Sequence, residues 1–368
     1  MRRVWTAMGL AAICLMGQAC IHVPAQLPAD RAVPRYAHII VILEENKSYE
    51  QIVDPAVAPN IAAWSKRYGV ATRFYGEVHP SEANYVALLG GDTFGIHDDD
   101  AFYCKPGQVD PHCPGALRPG YVNHTTHTPH IGDQLEHIGL TWKAYLEDLP
   151  APGSLAVNAG GPDGVGGAMA SALYASKHSG FVNFASVQKD PNRAQHLVDF
   201  KALDADLAAG ALPSFALIVP NQCNEMHGMH GPKTPEGCDV LLPTPLIKRG
   251  DAVLGQIIGK IQAGAEWRSS ENVAIVITFD EGVGRDRQGC CSVTPQAASN
   301  YGGGHIPTFV LTNHGPRGVA DDTPYNHYSL LRTIEDAFGL KQHLGRAADV
   351  GQGVVPMTPL FATSRPAP

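Results

Sequence analysis

Four short runs of apolar residues constrain the fold of this chain more than any other feature. Residues 37–43 (Ala-His-Ile-Ile-Val-Ile-Leu) form a β-branched run, and similar runs follow at 215–219, 273–279 and 308–311. Runs of this length and composition are typical of strands that are buried on both faces. Such strands occur where helices cover both sides of a sheet, so the runs favour an α/β architecture.

Segments with helical periodicity lie between and after these strands. They are 61–68, 84–89, 131–137, 253–263 and 328–338. Strands that alternate with helices predict a mostly parallel sheet with helices on both faces. Two stretches rich in Gly, Pro, Asp and His, at 98–128 and 149–167, are expected to form long surface loops over an active site. No internal repeat stands out, and we expect one domain rather than two.

The N-terminus has the layout of a secretory signal peptide. Residues 1–3 (Met-Arg-Arg) are basic, residues 4–16 are apolar, and small residues follow up to Ala19. The apolar run is too short for a stable transmembrane helix. We expect residues 1–19 to be the signal peptide, with cleavage after residue 19 or 25. The protein is then exported to the periplasm or secreted, and it is bound to a membrane only if Cys20 is lipidated.

Cysteine usage agrees with export. Of the eight cysteines, two lie in the export segment, and the others are Cys104, Cys113, Cys223, Cys238, Cys290 and Cys291. An even number of cysteines in an exported protein favours disulfides. Two local pairs are expected, Cys104 with Cys113 and Cys223 with Cys238. The adjacent Cys290 and Cys291 are expected to pair elsewhere, with the connectivity open. A zinc–thiolate site is the weaker interpretation because no CxxC doublet occurs.

The charge of the chain limits its partners. A formal net charge of −8 argues against a nucleic acid or an anionic membrane held by bulk electrostatics. An anionic substrate therefore needs a local positive site. A bound metal ion and some of the 17 histidines could provide it.

Polar side chains collect where the predicted strands end. They are Glu45 and Asn46 after the first strand, Asn221, Asn224, Glu225, His227 and His230 after the second, Asp280 and Glu281 after the third, and Asn326 and His327 after the fourth. Ligands of open α/β sheets bind at the carboxyl ends of the strands, so we expect these side chains to converge. Oxygen and imidazole ligands suit a hard or borderline divalent cation. Each group alone is also typical of a turn or helix cap, so the prediction depends on their convergence.

Ser81 is the candidate nucleophile. It lies in the segment 78–85 (Val-His-Pro-Ser-Glu-Ala-Asn-Tyr), just before a helical pattern. The backbone N–H groups and dipole at a helix N-terminus favour a phosphate group. A nearby metal ion would lower the pKa of the hydroxyl and orient it for in-line attack. The alternative is a serine that only caps the helix.

Four motifs occur in the order found in a known family. They are Glu45-Asn46-Lys47-Ser48-Tyr49, His79-Pro80-Ser81-x-x-Asn84-Tyr85, Thr278-Phe279-Asp280-Glu281-Gly282 and Asn326-His327-Tyr328-Ser329-Leu330-Leu331-Arg332-Thr333. With supporting stretches at 145–150, 175–178 and 219–227, the chain resembles the phosphoesterase family of bacterial acid phosphatases, phosphatidylinositol-3-phosphatases and non-specific phospholipases C. The resemblance implies an alkaline phosphatase-like α/β sandwich. It also implies a catalytic domain over 36–345, followed by a C-terminal tail at 346–368.

The same resemblance implies roles for individual residues. Glu45, Asn46, Asp280 and Glu281 would hold one divalent metal ion of unknown identity. Ser81 would complete its ligand shell and attack phosphorus, forming a phosphoserine that water hydrolyses. His227 and His327 would bind phosphate oxygens or protonate the leaving alkoxide. Further candidates for phosphate binding are His79, Lys177, His178 and His305.

The implied activity is hydrolysis of phosphate monoesters, with a small phosphorylated substrate or a phosphoinositide head group. The Ser81 motif and the stretch at 145–150 are closer to the acid phosphatase branch. A phospholipase C-type phosphodiesterase acting on phospholipids is the alternative among hydrolases. A non-catalytic phosphate-binding surface lipoprotein is the alternative from another class, and the combination of a nucleophile with a complete acidic set argues against it.

Overall fold

The computed structural model describes residues 32–161, 172–292 and 301–362. The predicted signal peptide, including Cys20, lies outside the described residues, as does part of the predicted loop at 149–167. Within the described residues, no helix combines the length and the apolar character needed to cross a membrane.

The strands are β1 (His38–Glu44), β2 (Gly69–Tyr75), β3 (Trp142–Leu146), β4 (Asn158–Ala159), β5 (Tyr174–Ala175), β6 (Leu197–Val198), β7 (Phe215–Val219), β8 (Val273–Phe279), β9 (His305–Thr312), β10 (Val319–Asp321) and β11 (Tyr325–Asn326). The α-helices are α1 (Tyr49–Ile52), α2 (Pro59–Arg67), α3 (Glu82–Gly90), α4 (Ile131–His137), α5 (Ala185–Lys189), α6 (Phe200–Ala209), α7 (Pro243–Ala263), α8 (His327–Phe338) and α9 (Thr358–Phe361). Short 3-10 helices cover Ser176–His178, Phe181–Asn183, Arg193–Gln195, Gly345–Ala348 and Val350–Gln352.

One central sheet has the strand order β10-β2-β9-β8-β1-β7-β3-β6, with β11 also paired to β2. The pairs are parallel except for those of β9, which runs antiparallel to β8 and β2. The predicted strands at 215–219 and 273–279 are confirmed at their full lengths, and every residue of both is buried. These β-branched runs are buried because helices pack on both faces of the sheet, with α2 against α7, and α3 and α4 against α8.

The direction of β9 corrects one inference. The sequence suggested that Asn326 and His327 follow the strand near 308–311 to the carboxyl edge of the sheet. Because β9 is antiparallel to β8, its carboxyl end points to the opposite edge, and its first residue, His305, lies at the edge expected for ligands. Asn326 and His327 reach that edge through β11, which is parallel to β2.

Two further expectations concern the C-terminus and the cysteines. The catalytic domain over 36–345 stays a prediction, and beyond it α9 packs against the sheet, where the Tyr36 hydroxyl donates to the Phe361 carbonyl at 2.7 Å. Cys290 and Cys291 pair with each other instead of with other cysteines. The two local disulfides, Cys104–Cys113 and Cys223–Cys238, are confirmed. The predicted loop at 98–128 contains no helix or strand.

Candidate active site

Neighbouring strands β1 and β8 bring two pairs of polar side chains together. Glu45 and Asn46 follow β1, and Asp280 and Glu281 follow β8, with which β1 is in parallel register. The Asp280 backbone N–H donates to the Glu44 carbonyl at 3.0 Å. Asn46 adopts a left-handed backbone conformation with φ of 48°, which asparagine tolerates better than most residues. This turn lets its backbone N–H donate to Asp280 Oδ1 at 3.1 Å.

Ser81 faces these residues from the start of α3. Its hydroxyl donates to Glu45 Oε2 at 3.0 Å and lies 3.3 Å from Asn46 Oδ1 and 3.4 Å from Glu281 Oε1. The side chain is almost fully buried and makes no capping hydrogen bond to the helix. The interpretation of Ser81 as a simple helix cap therefore fails, and the serine lies among the predicted metal ligands.

Asn84 holds the loop that carries Ser81. Its side-chain oxygen accepts hydrogen bonds from the backbone N–H groups of Glu77 and Val78 at 3.0 and 3.2 Å. Its side-chain nitrogen donates to the Val78 carbonyl at 3.0 Å. These three bonds satisfy buried backbone groups just before the serine, which explains an asparagine at the third position after it.

The oxygen atoms of this pocket face one another without enough donors between them. The end of the Asn46 amide lies 3.1 Å from Glu45 Oε2 and Glu281 Oε1, and 3.2 and 3.3 Å from the two Asp280 oxygens. If the amide nitrogen faces the carboxylates, it donates hydrogen bonds to them. If the oxygen faces them, the acceptors repel one another unless a cation lies between them. A divalent cation that prefers oxygen ligands fits the side-chain oxygens of Glu45, Asn46, Asp280 and Glu281 together with the Ser81 hydroxyl.

Burial and mutual repulsion raise the pKa values of the carboxyl groups in the pocket. Burial, followed by the nearby Glu281 charge, raises the pKa of Asp280 to about 8. Burial followed by the charges of Asp280 and Glu225 raises the pKa of Glu45 well above its ordinary value. Ionising all of these carboxylates together is unfavourable in the low-dielectric interior, and a bound cation would relieve that cost.

Two cationic side chains border the pocket. His79 forms an ion pair with Glu281 and also contacts the Asp286 carbonyl at 2.7 Å. Lys177 Nζ lies 2.9 Å from Asp99 Oδ2. Although burial disfavours its charge, the carboxylates of Asp99 and Glu45 hold the pKa of Lys177 above its ordinary value. Lys177 is therefore a permanent positive charge in this region.

His178 and His227 lie together on the other side of Glu45. Their ring centroids are 5.2 Å apart, and one donor atom from each of Glu45, His178 and His227 lies within 4.8 Å of the others. Burial, followed by the Lys177 charge, lowers the pKa of His227 to about 3, so this histidine is neutral at ordinary pH. The expected role of His227 in binding phosphate oxygens or protonating the leaving alkoxide stays a prediction.

His327 and His305 are held away from the pocket by other partners. The two ring nitrogens of His327, which is fully buried, contact the Glu77 carboxylate and, at 2.9 Å, the Phe279 carbonyl. Neither nitrogen is available to phosphate, so the geometry corrects the expected phosphate-binding role. His305 Nε2 contacts the Thr72 carbonyl at 2.8 Å, and its ring stacks on Tyr49. Both histidines instead fix the backbone around the strand ends.

Sequence reasoning missed Tyr85 as a functional residue. Its fully buried hydroxyl donates to Glu45 Oε1 at 2.6 Å, while Ser81 bonds the other oxygen of the same carboxylate. Ser81 and Tyr85 are one helical turn apart, which places both on one face of the N-terminal end of α3. That spacing was visible in the sequence and could have suggested a shared partner.

A second buried cluster adjoins the serine and was also missed. His124 lies between two carboxylates, with Nδ1 3.1 Å from both oxygens of Glu82 and Nε2 3.1 Å from Asp98 Oδ1. Asn183 donates to Glu82 and to the His124 carbonyl. Burial opposes the charge of His124, but the hydrogen bonds that its ring donates to Asp98 and Glu82 raise its pKa to about 10. His124 and Glu82 are 42 residues apart in the sequence, so no local pattern predicted their contact.

Backbone rather than side chains forms the floor near Asp280. A Cβ atom added to Gly303 would lie 2.6 Å from the Gly76 carbonyl carbon, and one added to Gly76 would lie 2.8 Å from the Asp280 carbonyl oxygen. The Gly303 N–H donates to the Gly76 carbonyl at 3.0 Å, and the Gly282 N–H donates to the Gly303 carbonyl at 2.7 Å. The glycine-rich segment at 302–304 is therefore structural.

Solved structures define the class of this fold. A protein in the alkaline phosphatase superfamily from Vibrio parahaemolyticus superimposes with a TM-score of 0.50 and 13% sequence identity, covering 92% of this chain and 72% of that one. The expected alkaline phosphatase-like α/β sandwich is thus confirmed.

The sequence comparisons are more specific. The model of the Phosphoesterase family matches residues 53–341, so the chain belongs to that family and is a hydrolase of phosphate esters. It is 29% identical to a phosphatidylinositol-3-phosphatase of Mycobacterium tuberculosis over 341 residues, covering 92% of this chain and 89% of the relative. An acid phosphatase of Aspergillus fumigatus is 28% identical over 82% of this chain, which spans only 54% of that relative's length.

Proposed function

We propose that this protein is an exported, metal-dependent phosphomonoesterase that acts through a phosphoserine at Ser81. The observation that carries the proposal is the hydrogen bond from the Ser81 hydroxyl to Glu45 Oε2 at 3.0 Å, in a pocket shared with Asn46, Asp280 and Glu281. A buried serine bonded to a carboxylate at the start of a helix has both a proton acceptor and an anion-binding position beside it.

The residues of the pocket have different roles in the proposed hydrolysis. Glu45 accepts the serine proton and orients the oxygen, which attacks phosphorus. The bond from phosphorus to the alcohol oxygen breaks as the bond to Ser81 forms, and the leaving alkoxide takes a proton from solvent water. Glu45 returns its proton to the Ser81 oxygen in the second step. The positive charge of Lys177 attracts the phosphate oxygens. Water then attacks the phosphoserine and releases inorganic phosphate, which restores the hydroxyl.

Glu45, Asn46, Asp280 and Glu281 would hold the metal ion, with Ser81 as a further ligand. When bound, the ion lowers the pKa of the serine hydroxyl and neutralises charge on the phosphoryl group. The raised pKa of Asp280 supports this assignment, because a cation would let the buried carboxylates ionise together. The donor set does not distinguish among Mg²⁺, Mn²⁺ and Ca²⁺.

The substrate class follows from the relatives. The mycobacterial relative is named as a phosphatidylinositol-3-phosphatase, and the fungal relative is named as an acid phosphatase. We propose that this protein also hydrolyses monoesters, including phosphoinositide head groups. The disulfides support an oxidising compartment and so agree with a cleaved signal peptide at 1–19.

The proposal is tested with Ser81→Ala in a p-nitrophenyl phosphate assay. We expect kcat/KM to fall by at least about 10³-fold, since no other group takes the nucleophile's place. The thermal midpoint and the metal content should stay close to those of the wild type. Near-normal turnover by Ser81→Ala would overturn the assignment of the nucleophile.

Ser329→Ala is a matched control, because Ser329 is equally buried but lies in the first turn of α8. It should keep normal turnover. Parallel assays on a phosphoinositide and on phosphatidylcholine separate the two hydrolase classes. Release of phosphate from the monoester alone supports the proposal, whereas release of phosphocholine would favour the phospholipase C alternative.

A further inference from the structure

We infer that Glu45, His178 and His227 form a second cation site. It differs in chemistry from the oxygen-only set beside Ser81, which consists of Glu45, Asn46, Asp280 and Glu281. One donor atom of each residue lies within 4.8 Å of the other two. The inference depends on the proposed function only through Glu45, which belongs to both sets.

The two carboxylate oxygens of Glu45 face different neighbours. Oε2 accepts the hydrogen bond of Ser81 at 3.0 Å, on the side of the oxygen-only set. Oε1 accepts from Tyr85 at 2.6 Å and lies 3.3 Å from His178 Nε2. A carboxylate placed this way can supply one oxygen to each of two cations.

His227 has one ring nitrogen fixed and the other free. Its Nδ1 lies 2.8 Å from the Gly228 carbonyl, which can only accept a hydrogen bond, so Nδ1 carries the proton. Nε2 is then left with a lone pair. Metal-binding histidines are commonly held in this way, with the second nitrogen bonded to a backbone carbonyl or carboxylate.

The ring of His178 is buried between two carboxylates, with Nε2 facing Glu45 and Nδ1 facing Glu225. Neither of its nitrogens makes a well-aligned hydrogen bond within the described residues, although Nδ1 lies 2.7 Å from Glu225 Oε1 and the side chain is only 3% exposed. Glu225 is also fully buried, and both of its oxygens lack hydrogen bonds in the described part of the chain. Buried polar groups are rarely left unsatisfied, so this combination indicates a ligand.

The chemistry of the donors identifies the class of that ligand. Two imidazoles and one carboxylate favour a borderline cation such as Zn²⁺, whereas Asn46, Asp280 and Glu281 offer only oxygen, which suits Mg²⁺ or Ca²⁺. Glu225, beside His178, would orient that imidazole from behind. The two sets therefore differ in the metals that they prefer.

Metal content tests the inference directly. The wild-type protein, stripped with a chelator and dialysed against Zn²⁺ and Mg²⁺, should retain about two ions by inductively coupled plasma mass spectrometry. His227→Ala and His178→Ala should lose one ion, the Zn²⁺. Asp280→Asn should keep Zn²⁺ and lose the other ion. His230→Ala is the matched control, since His230 lies on the same loop but is largely exposed, and it should retain both ions.

Replacement by Co²⁺ gives a readout independent of stoichiometry. Imidazole coordination of Co²⁺ should give a visible absorption band in the wild type and in Asp280→Asn, and the band should be absent from His227→Ala. His227→Gln, which keeps a polar side chain, repeats the test if the alanine variant folds poorly. Equal Zn²⁺ contents and spectra for the wild type and His227→Ala would overturn the inference. Intact Zn²⁺ binding in a protein without phosphatase activity would overturn the proposed function alone.

Discussion

Two buried acidic clusters lie on either side of the Ser81–Glu82 peptide bond, and they differ in how their charge is balanced. The Glu82 cluster, with Asp98 and His124, contains its own cation, because His124 contacts both carboxylates. In the Ser81 pocket His79 pairs with Glu281, but the other carboxylates, Glu45 and Asp280, face an amide and a hydroxyl. Removing one partner of a buried charge pair is strongly destabilising, whereas removing one of several buried carboxylates that repel one another is not.

The largest effect is expected on the self-balanced side. His124→Ala leaves Glu82 and Asp98 without their cation, and we expect a loss of about 3–5 kcal/mol in the free energy of unfolding. Urea denaturation at pH 7 measures the loss. The control is His137→Ala, because His137 is exposed on α4 and should change stability little. A His124→Ala protein as stable as the wild type would remove the distinction between the clusters.

The opposite effect on stability is expected in the Ser81 pocket. Asp280→Asn removes one of several repelling carboxylates, so the metal-free variant should be at least as stable as the metal-free wild type. Its phosphatase activity should fall by about 10²-fold or more, because a metal ligand is lost. Asp204→Asn, at an exposed site paired with Lys260, should change neither stability nor activity. Strong destabilisation of metal-free Asp280→Asn would mean that the pocket is structural.

The pH dependence of stability sharpens the contrast. The pKa of Asp280 in the fold, about 8, exceeds its value in the unfolded chain, so its stabilising contribution is lost as pH rises from about 4 to 8. His124, with a pKa of about 10, keeps its contribution below about pH 6.5 and loses it as pH rises through 10. In chelator, the stability advantage of Asp280→Asn over the wild type should therefore grow between pH 4.5 and 6.5.

Adding a divalent cation should cancel most of this growth, because the ion favours the charged carboxylates. Thermal unfolding at several pH values, with and without Mg²⁺, measures both effects. A constant difference between the two proteins at all pH values in chelator would show that Asp280 is ionised without a metal.

The smallest effect is expected at the edge of the pocket. Tyr85→Phe removes the hydrogen bond to Glu45 Oε1 but leaves the nucleophile and the oxygen-only set in place. We expect kcat to fall about tenfold, as for other residues that orient a metal ligand. The control is Tyr174→Phe, since the buried Tyr174 hydroxyl has no hydrogen-bond partner within the described residues. Equal rates for both variants would exclude an orienting role for Tyr85.

The sequence was informative where local pattern decides structure. Buried strands such as β7 and β8 and the position of Ser81 before a helix follow from runs of a few residues, as do the two disulfides that close short loops. Strand β2 (Gly-Val-Ala-Thr-Arg-Phe-Tyr) was missed because its polar residues interrupt the apolar run. The direction of β9 also gives no local signal, because β9 is buried on both faces and so has the same continuous apolar run as its parallel neighbours.

The site shows the same division. The meeting of Glu45 and Asn46 with Asp280 and Glu281 was predictable, because each pair follows a recognisable strand. The partners of His327 and His124 were not, because Glu77 is 250 residues from His327 and Glu82 is 42 residues from His124. A polar residue beside a strand end has the same sequence signature whether it binds a ligand or holds another loop in place.

The contact between Gly76 and Gly303 has a consequence for reading mutational scans of this enzyme. Neither residue carries a chemical group, yet even alanine at either position would drive a methyl group into neighbouring backbone. A selection for phosphate release would therefore reject substitutions at both glycines as strictly as substitutions of Ser81. Tolerance maps based on turnover alone would count them as part of the chemistry, and a parallel selection for soluble, folded protein is what would tell the two kinds of intolerance apart.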